Sequence, residues 1–428
     1  MRSSNLFRLA IVGLGYVGLP LAQLFIDKGH TVYGIDSDQA KIASLRQGLS
    51  YLSDLPSSDV QGMMQTGRFH IGDSFDVVAG VDTIIVCVPT PLHPNLQPDL
   101  SYVRSAAERA LPYLRPGQLF VLESSSYPGT TEEEIRPLLE AQGFVMGRDI
   151  ALAYSPERID PGQRQYRLEE VPKLVGGVTP ACTAYASRVY KSAFMNVVEV
   201  SSPRVAEMAK LVENSQRFIN ISFMNDLSRL CNKMNINVWE VIQAAGTKPY
   251  GFTPYYPGPG VGGHCIPVDP LYLMWKAKDC GVELPLIEAS RRINDAMPEY
   301  IVQRIEDMLL LRRNQPLHES RLLIVGITYK KNSNDTRESS PVKIIQHLLR
   351  RGVQLDYHDP LVDEFRLDQI HLKSVPLTPS TIQAYDCTII LTDHSSLPYQ
   401  LLVDAAPLVF DARNALGDWS PGGNVISL

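Results

Sequence analysis

The chain has 428 residues, which is too long for one ordinary hydrophobic core, so two or three domains are expected. Its formal charge of -6 at pH 7 is mild and mixed along the sequence, which argues against nucleic acid or an anionic membrane as the main partner. No run of eighteen apolar residues is present and the N-terminus passes directly into a strand-like segment, so we expect a cytoplasmic protein. The 6 cysteines show neither a CxxC pair nor zinc-binding spacing, which argues against disulfides and a structural metal.

A glycine fingerprint opens the chain. Gly13, Gly15 and Gly18 in GLGYVG follow the apolar run RLAIVG and precede a helical pattern. A second apolar run ends in Asp36, at about the 20-residue distance where dinucleotide-binding folds place a carboxylate on a ribose 2'-hydroxyl. The residues SD follow it instead of an arginine, so a 2'-phosphate would meet negative charge. The segment therefore predicts NAD rather than NADP.

Strand-like and helical patterns alternate up to about residue 200, in the runs RLAIVG, TVYGID, DTIIVCVP, LFVLESSS, ALAYSPE and VVEV. The middle region is helical, with long helices predicted over 205–234 and 286–311. Strands return at RLLIVG, QLDYHDP, CTIILTDH and PLVFDARNA. We predict an α/β protein with two Rossmann-like doubly wound parallel-sheet domains, 1–202 and 314–428, joined by a helical domain, 203–313. The last domain lacks the glycine fingerprint, so we expect it to bind something other than the adenosine half of the dinucleotide.

The first long helix carries a polar stripe. Glu207, Lys210, Asn214 and Arg217 are spaced by three and four residues, so they share one face. A polar stripe of this kind is ordinarily the solvated side of a helix. The alternative is that some of its members act on a ligand.

The segment GPGVGGHCIPVDP presents Cys265 on a loop constrained by glycines and prolines, with the carboxylate of Asp269 four residues further on. Its glycines leave the backbone room to approach a ligand, so Cys265 is a candidate nucleophile. Lys210 and Asn214 are then candidate partners, because a cation lowers the pKa of a thiol and stabilises an oxyanion on the carbon that sulfur attacks. The alternative is a buried thiol, with Asp269 capping a helix that begins at Pro270.

Together the motifs resemble the UDP-sugar 6-dehydrogenase family, which contains the UDP-glucose, UDP-N-acetylglucosamine and UDP-N-acetylmannosamine dehydrogenases. The matching segments are GLGYVGLPLA, CVPTPL with PDLS, ESSSYPGTTEE, YSPERIDPG, AEMAKLVEN, PGPGVGGHCIPVDP and YKKNSNDTRESSP. They cover the chain nearly from end to end. The resemblance implies a four-electron oxidation of the sugar's C6 alcohol to a carboxylate, with two NAD per turnover and no release of free aldehyde.

The resemblance also implies the catalytic roles. Cys265 would capture the aldehyde as a thiohemiacetal, which is then oxidised to a thioester and hydrolysed. Lys210 and Asn214 would stabilise the developing oxyanions, and Asp269 would help to activate the water. Glu157 matches the family glutamate placed near the reacting carbon or its water.

Further positions follow from the same resemblance. Ser125 stands where the family usually has a threonine near the nicotinamide and the water. The implied NAD contacts are Gly13, Gly15, Tyr16, Val17, Gly18, Asp36, Pro89, Thr90, Ser125 and, for a phosphate of NAD, Arg337. The implied substrate contacts are Glu157, Arg158, Lys210, Asn214, Tyr255, Tyr256, Gly262, Lys330 and Arg413. The cations are alternatively ordinary solvated side chains, and the two tyrosines are alternatively packing residues beside the loop.

Departures from the glucose-type members indicate a branch. Those members generally have a second glutamate where this chain has Pro161, and they tend to read GGSCFxKD where this chain has His264 and Val268. Both differences point away from UDP-glucose. The segment YGFTPYYPGPGVGGHCIPVDPLYL, followed by WKA, resembles the branch that acts on UDP-N-acetylglucosamine in bacterial surface polysaccharide synthesis, with UDP-N-acetylmannosamine as the nearest rival.

We therefore expect an NAD-dependent UDP-N-acetylhexosamine 6-dehydrogenase, and by resemblance a homodimer formed through the helical middle region. A two-electron dehydrogenase of small hydroxyacids would share the N-terminal fold but would have no use for Cys265 or for a third domain. A catalytically silent NAD-binding sensor or scaffold would have no reason to retain Cys265 together with Lys210, Asn214 and Asp269. These three possibilities differ in the NADH formed per substrate, which is two, one or none.

Overall fold

The computed structural model describes residues 6–52, 54–158, 166–263, 265–367, 370–417 and 423–428. Pro161 and His264, which entered the prediction of the substrate branch, lie outside these residues. The chain forms two compact units, the first made of Met1–Asn214 and Val268–Glu283 and the second of Ser215–Pro267 and Leu284–Leu428. The domain boundaries predicted from the sequence stay a prediction.

Eight strands form the sheet of the first unit. They are β1 (Arg8–Val12), β2 (Thr31–Ile35), β3 (Phe69–Gly72), β4 (Thr83–Val86), β5 (Leu119–Leu122), β6 (Ala151–Tyr154), β7 (Lys173–Gly177) and β8 (Val197–Glu199). Their order is β3-β2-β1-β4-β5-β6-β7-β8. The order of the first six is that of a dinucleotide-binding fold. All neighbours are parallel except β6 and β7, an antiparallel pair that the sequence pattern did not indicate.

Both faces of this sheet are covered. Leu9 and Ile11 of β1 belong to one apolar cluster, whereas Ala10 and Val12 belong to another, because successive side chains of a strand point to opposite faces. The covering helices are α1 (Gly18–Asp27), α2 (Gln39–Arg46), α3 (Ser57–Gln65), α4 (Ser101–Ala110), α5 (Arg136–Ala141) and α6 (Pro180–Tyr190). Short 3-10 helices span Asp76–Gly80, Leu111–Tyr113 and Leu168–Glu170, and a π-helical turn spans Thr131–Ile135.

Helices occupy the middle of the chain, as the sequence predicted, and two of them, the first and the last, are long. They are α7 (Pro203–Lys233), α8 (Val238–Gly246), α9 (Asp269–Asp279) and α10 (Pro285–Arg313). The bounds of α7 and α10 agree with the two predicted long helices to within two residues at each end. Helix α9 belongs to the first unit, and the loop that precedes it belongs to the second.

The second unit contains a five-stranded parallel sheet. Its elements are β9 (Arg321–Val325), α11 (Ser340–Arg350), β10 (Gln354–His358), β11 (Glu364–Leu367), β12 (Ile370–Lys373), α12 (Pro379–Gln383), β13 (Cys387–Ile390), α13 (Tyr399–Ala405), β14 (Val409–Asp411) and β15 (Val425–Ser427), with a 3-10 turn at Leu317–Glu319. The order is β10-β9-β13-β14-β15, and β11 and β12 form a separate antiparallel hairpin. The prediction of two Rossmann-like parallel sheets and a helical middle region is confirmed. Of the described helices, none is long and apolar enough to cross a membrane.

Candidate active site

The three fingerprint glycines differ in the space that the turn between β1 and α1 leaves for a side chain. Gly13 has φ 93°, and a Cβ there would lie 2.6 Å from the carbonyl oxygen of Cys87. A Cβ at Gly18 would lie 1.8 Å from the carbonyl oxygen of Gly13, so this glycine lets α1 pack against the turn. At Gly15, by contrast, no described atom outside its immediate chain neighbours comes within 4 Å of the added Cβ. Of these three glycines, Gly15 is the one beside which the described part of the chain leaves open space.

Asp36 lies beside this turn at the end of β2. Its Oδ2 accepts a hydrogen bond from the Leu14 amide at 2.8 Å, and its Oδ1 accepts one from the Asp38 amide at 2.9 Å. Lys41 Nζ is 3.7 Å from Oδ2. The carboxylate is thus fixed at the sheet edge where a dinucleotide ribose binds in this fold.

The turn fits the pyrophosphate and ribose of NAD. Helix α1 begins at Gly18, and Val17 before it provides no side-chain cap. The Leu19 amide donates to the Gly15 carbonyl at 3.1 Å, and the N-terminal end of the helix dipole, which favours an anion, lies at this turn. The Thr90 carbonyl, beyond the end of β4, accepts a hydrogen bond from the Tyr272 hydroxyl. Thr90 is buried, whereas Tyr16 is half-buried and Pro89 is exposed.

The polar stripe of α7 is buried. Glu207 is 0% exposed, Lys210 7% and Asn214 5%, so its interpretation as a solvated face is wrong for these three residues. The Glu207 carboxylate accepts hydrogen bonds from the Gly129 amide at 2.6 Å and from the Thr131 amide and hydroxyl at 2.9 and 2.7 Å. This bonding ties α7 to the segment that follows β5.

Asp269 joins the same buried group. It is 1% exposed, and its Oδ2 accepts a hydrogen bond from Asn214 Nδ2 at 2.5 Å. Burial raises the pKa of Asp269 to about 6, although the nearby Lys210 ammonium and the Asn214 hydrogen bond act to lower it. The interpretation of Asp269 as a helix cap is wrong, because α9 begins at Asp269 and Val268 is its N-cap residue. A carboxylate that titrates near neutral pH suits a general base.

Glu157 and Ser125 lie at one edge of the first sheet. Ser125 follows the carboxyl end of β5 and is half-buried, and Glu157 follows the carboxyl end of β6 and is buried. Because β5 and β6 are parallel neighbours, their carboxyl ends meet at the same edge. Arg158 forms an ion pair with Glu213 at 2.7 Å and donates to a backbone carbonyl, which engages its guanidinium within the unit.

Three buried residues near this edge were missed by sequence reasoning. Tyr154 is fully buried, and its hydroxyl has no hydrogen-bond partner among the described residues. Glu123 and Lys173 form a buried ion pair. A lone acid at the end of LFVLE and a lysine at the start of KLVGG were the available signals, but neither pattern states that the two side chains meet.

In the second unit, the loop before α9 packs closely against other segments. A Cβ at Gly258 would lie 2.9 Å from Arg413 Nη1, one at Gly262 would lie 2.7 Å from the Glu338 carbonyl, and one at Gly263 would meet an aromatic ring at 2.6 Å. These loop positions are therefore glycine because other segments of the protein pack directly against the loop and leave no space for a side chain. Cys265 is exposed, so its interpretation as a buried thiol is wrong.

The predicted cations of the second unit lie beyond the ends of its strands. Lys330 follows β9 and Arg413 follows β14, which places both at the carboxyl edge of the parallel sheet. Arg413 Nε donates to the Leu391 carbonyl at 2.9 Å, and burial lowers the pKa of its guanidinium against the opposing effect of nearby aspartates. Arg337 makes an ion pair with Asp335 at 2.6 Å.

The two tyrosines have packing partners. The Tyr255 hydroxyl donates to Gln216 Oε1 at 2.9 Å. The Tyr256 ring stacks on Trp239 with centroids 5.7 Å apart. None of the cysteines, all of which are described, forms a disulfide, and no group of three or more potential metal ligands occurs in the described part of the chain.

The structure thus distributes the predicted residues over its two units. The first unit holds Gly13, Gly15, Tyr16, Val17, Gly18, Asp36, Pro89, Thr90, Ser125, Glu157, Arg158, Lys210, Asn214 and Asp269. The second holds Tyr255, Tyr256, Gly262, Cys265, Lys330, Arg337 and Arg413.

Three family matches follow one another along the chain. Residues 7–194 match the NAD binding domain of the UDP-glucose/GDP-mannose dehydrogenase family, 204–296 match its central domain, and 323–418 match its UDP binding domain. The first match contains the glycine turn. The second contains the buried face of α7 and the Cys265 loop, and the third contains Lys330 and Arg413.

Individual relatives cover almost the whole chain. It is 38% identical to UDP-N-acetyl-D-glucosamine 6-dehydrogenase of Pseudomonas aeruginosa over 392 residues, which are 91% of this chain and 90% of that protein. It is 31% identical to UDP-N-acetyl-D-mannosamine dehydrogenase of Methanococcus maripaludis over 437 residues, covering 98% and 96%. The solved structure of UDP-D-ManNAc dehydrogenase from Pyrococcus horikoshii matches with a TM-score of 0.89 at 29% identity, covering 98% of each chain.

Proposed function

Since the chain belongs to the UDP-glucose/GDP-mannose dehydrogenase family and is an NAD-dependent UDP-sugar dehydrogenase, we propose that it oxidises the C6 hydroxyl of UDP-N-acetylglucosamine to a carboxylate. The family matches confirm the resemblance predicted from the motifs, and the NAD binding domain confirms the predicted cofactor. The observation that carries the proposal is the buried group of Lys210, Asn214 and Asp269 in the unit that holds the glycine turn. It supplies a cation, an amide donor and a carboxylate, which oxyanion stabilisation and a hydrolytic step require.

We assign the covalent step to Cys265, which matches the cysteine of the family motif and is exposed on its loop. Bound NAD supplies the hydride acceptor for both oxidations. After the first oxidation has produced the C6 aldehyde, the Cys265 thiolate adds to it and forms a thiohemiacetal. The second oxidation converts this thiohemiacetal into a thioester on the sulfur. Water then cleaves the thioester, which returns the thiol and releases the carboxylate.

The remaining catalytic roles follow from chemistry and position. Lys210 and Asn214 donate to the oxyanion that develops at C6. Asp269, with a pKa of about 6, is mostly ionised at neutral pH and accepts a proton from the attacking water. Glu157 and Ser125 are proposed to orient C6 and its water from the carboxyl ends of β6 and β5.

We propose that Lys330 and Arg413 bind the diphosphate of the nucleotide, because both lie at the carboxyl edge of the second parallel sheet. Arg413 is held by a backbone carbonyl, so its fork is oriented before a ligand arrives. The other proposed substrate contacts are Arg158, Tyr255, Tyr256 and Gly262. The other proposed NAD contacts are Tyr16, Val17, Pro89, Thr90 and Arg337.

Two acetamido sugars are candidates. UDP-N-acetylglucosamine is supported by the 38% identity with the Pseudomonas aeruginosa enzyme named for it. UDP-N-acetylmannosamine is the second candidate, supported by the TM-score of 0.89 with the Pyrococcus horikoshii enzyme named for that sugar. The two differ only in the configuration at C2, which pocket shape distinguishes. The departures from glucose-type motifs support an acetamido sugar over UDP-glucose.

A panel of substrates tests this choice. Purified protein and NAD are incubated separately with UDP-N-acetylglucosamine, UDP-N-acetylmannosamine, UDP-N-acetylgalactosamine and UDP-glucose, and NADH and product mass are measured. We expect the largest kcat/KM with UDP-N-acetylglucosamine. A larger value with UDP-N-acetylmannosamine would transfer the assignment to the second candidate, and a larger value with UDP-glucose would contradict both.

We propose that the enzyme is a homodimer whose interface includes α7. One face of this helix exposes large apolar side chains, and such a face marks an interaction surface. These side chains are Val205, Met208, Val212, Phe223, Leu230 and, just beyond the helix, Met234. Successive members are 3, 4, 11, 7 and 4 residues apart, and these spacings keep them on one side of the helix.

Light scattering after size exclusion tests the dimer. The double substitution Phe223→Glu and Leu230→Glu is expected to give a monomer, because it places two charges in the apolar face. Leu361→Glu, at another exposed apolar residue, is the control and should leave the mass unchanged. A wild-type monomer would contradict the proposal.

We propose a cytoplasmic location, because the reaction consumes NAD and a UDP-sugar, which are cytoplasmic metabolites. Fractionation of cells that produce the protein should recover it with cytoplasmic markers. Recovery with periplasmic or secreted markers would contradict this location.

A further inference from the structure

A buried ion pair at the carboxyl end of β5 takes no part in the chemistry proposed above. Glu123 is 0% exposed and Lys173 3%. Lys173 Nζ lies 2.7 Å from Glu123 Oε2 and donates to the Pro156 carbonyl at 3.1 Å. The Tyr190 hydroxyl donates to the other oxygen of the carboxylate. The pair therefore ties the ends of β5, β6 and α6 to the start of β7.

Stability gives no reason to keep these charges in the core. Burial by itself lowers the pKa of Lys173, but the carboxylates of Glu123 and Glu157 raise it above the ordinary lysine value, so the side chain is an ammonium ion. Taking two ions out of water offsets most of their attraction, and apolar replacement of such pairs is often neutral or stabilising. A role in placing neighbouring residues does account for the charges.

We propose that Glu123 and Lys173 are positioning residues that fix the segments carrying Ser125 and Glu157, an inference that rests on the proposed function of those two side chains. Glu123 stands two residues before Ser125 in the same segment. Pro156, whose carbonyl Lys173 holds, directly precedes Glu157. One ammonium ion thereby sets the spacing between the two segments at the carboxyl edge of the sheet.

A third segment, which contains Val88, is hydrogen-bonded to the residue next to Glu123. Ser124, next to Glu123, donates through its hydroxyl to the Val88 carbonyl at 2.7 Å. Val88 directly precedes Pro89 and Thr90, two of the proposed NAD contacts. Movement of the Glu123 segment would therefore reach the nicotinamide side of the site as well as the sugar side.

The test replaces the pair by apolar residues of similar size. The single variants Glu123→Leu and Lys173→Met should lower Tm, since each leaves one ion buried without its partner, and the double variant should recover most of that loss. If the pair positions the site, kcat of the double variant for UDP-N-acetylglucosamine falls by roughly 10²-fold, as a misplacement of about 1 Å can cause. The Kd of NAD should change much less than kcat, because the glycine turn and Asp36, the proposed contacts to the rest of the dinucleotide, are untouched.

Gln118 provides a matched control at the opposite end of β5. It is fully buried, its Nε2 donates to the Val78 and Val81 carbonyls at 2.7 and 2.9 Å, and its Oε1 accepts from the Arg115 amide at 2.7 Å. Gln118→Leu loses buried hydrogen bonds directly before the same strand, away from the carboxyl edge. It should lower Tm and leave kcat unchanged.

A folded double variant with wild-type kcat would overturn the positioning role. If the double variant does not fold, Tyr190→Phe keeps the ion pair and removes one of its hydrogen bonds. It should lower kcat by a larger factor than it raises the Kd of NAD. An unchanged kcat in Tyr190→Phe would then overturn the proposal.

NADH formation by the wild-type protein is measured first, so that a failure of the proposed function can be told apart from a failure of the proposed positioning role. No NADH with any UDP-sugar would contradict the proposed function and not the pair. The pair is then tested by hydrogen exchange of the amides in 123–125 and 155–158. Exchange should be faster in the double variant, or in Tyr190→Phe if that variant replaces it, and unchanged in Gln118→Leu. Unchanged exchange in the variant tested would overturn the positioning role.

Discussion

The two parallel sheets of the molecule begin alike. Strand β1 reads RLAIV and β9 reads RLLIV, and each is followed by a glycine with positive φ, 93° at Gly13 and 81° at Gly326. A Cβ would lie 2.6 Å from the carbonyl oxygen of Cys87 in the first turn and of Thr392 in the second. The protein's own backbone therefore requires both glycines. A glycine at this position does not by itself make a dinucleotide site.

The two turns diverge at the second residue after that glycine. In each sheet a carboxylate beyond the second strand, Asp36 or Asp359, accepts from the amide after the glycine, at 2.8 and 2.9 Å. Gly15 then leaves open space in the first turn, whereas Thr328 takes the equivalent place in the second and is fully buried against His394, 3.2 Å from Thr328 Oγ1. The first turn thus leaves open space at this position, and the second turn fills the equivalent position with side chains.

The largest effect is expected where the two turns are equivalent. Gly13→Ala and Gly326→Ala should each lower the free energy of unfolding by about 3 kcal/mol, because the methyl group meets a carbonyl oxygen in a strained backbone conformation. Chemical unfolding of the NAD-free protein measures both. Destabilisation by only one of the substitutions would mean that the shared geometry does not impose a shared requirement.

A second prediction concerns Asp269, the titrating carboxylate that belongs to the unit of the first sheet. Because its pKa is about 6 and the proposed base must be ionised, kcat should fall as pH decreases through about 6. Asp269→Asn should lower kcat by roughly 10²-fold and abolish that limb of the pH profile. A variant that keeps the limb would assign it to another group.

The same pKa predicts a dependence of stability on pH. The folded pKa is raised from 3.8 to about 6, so the folded state binds the proton more tightly than the unfolded chain. The contribution of Asp269 to the unfolding free energy should therefore decrease as pH rises from about 3.8 to about 6. Unfolding of Asp269→Asn at several pH values, compared with wild type, should lack this decrease.

A third, smaller effect separates the two strand-end carboxylates. Asp36→Ala should weaken NAD binding by roughly 1 to 3 kcal/mol, the scale of a hydrogen bond to a charged group. The matched substitution Asp359→Ala should leave the Kd of NAD unchanged, because the second turn has no room for the cofactor. Calorimetric titration with NAD measures both. Equal effects would contradict the division of roles, and wild-type protein should also prefer NAD to NADP in kcat/KM.

The smallest effect is expected at Gly15, and its sign is opposite to that at Gly13. Gly15 has a backbone conformation that alanine can adopt and space for a methyl group, so Gly15→Ala should stabilise the NAD-free protein by about 0.4 to 1 kcal/mol. NAD affinity should fall, because the methyl group occupies the approach of the pyrophosphate. Loss of stability, or unchanged NAD affinity, would show that the open space has another purpose.

Sequence patterns predicted the parts of this molecule that depend on local order. The glycine turn, most strands of both sheets and the bounds of α7 and α10 follow from periodicity and turn chemistry. Strands β3, β7 and β15 and the hairpin of β11 and β12 were missed because their patterns are weak. Strand β7 ends in two glycines, β3 and β15 have four and three residues, and the hairpin is largely exposed.

The sequence predicted which residues are candidates for the site, but it did not predict which of them are buried or in contact. Helical spacing showed that Glu207, Lys210 and Asn214 share a face, but it cannot state which face other segments cover. The bond between Asn214 and Asp269 joins residues 55 positions apart, and no local pattern encodes it. Burial, which sets the pKa of Asp269, likewise depends on distant segments.

The most direct test of the proposed reaction is the number of NADH formed per sugar. With limiting UDP-N-acetylglucosamine and excess NAD, wild-type protein should form two NADH for each sugar consumed, and mass spectrometry should find the uronic acid. Cys265→Ser should not sustain this turnover, because a serine hydroxyl lacks thiolate reactivity. One NADH per sugar with an aldehyde product, or full two-NADH turnover by Cys265→Ser, would contradict the covalent four-electron mechanism.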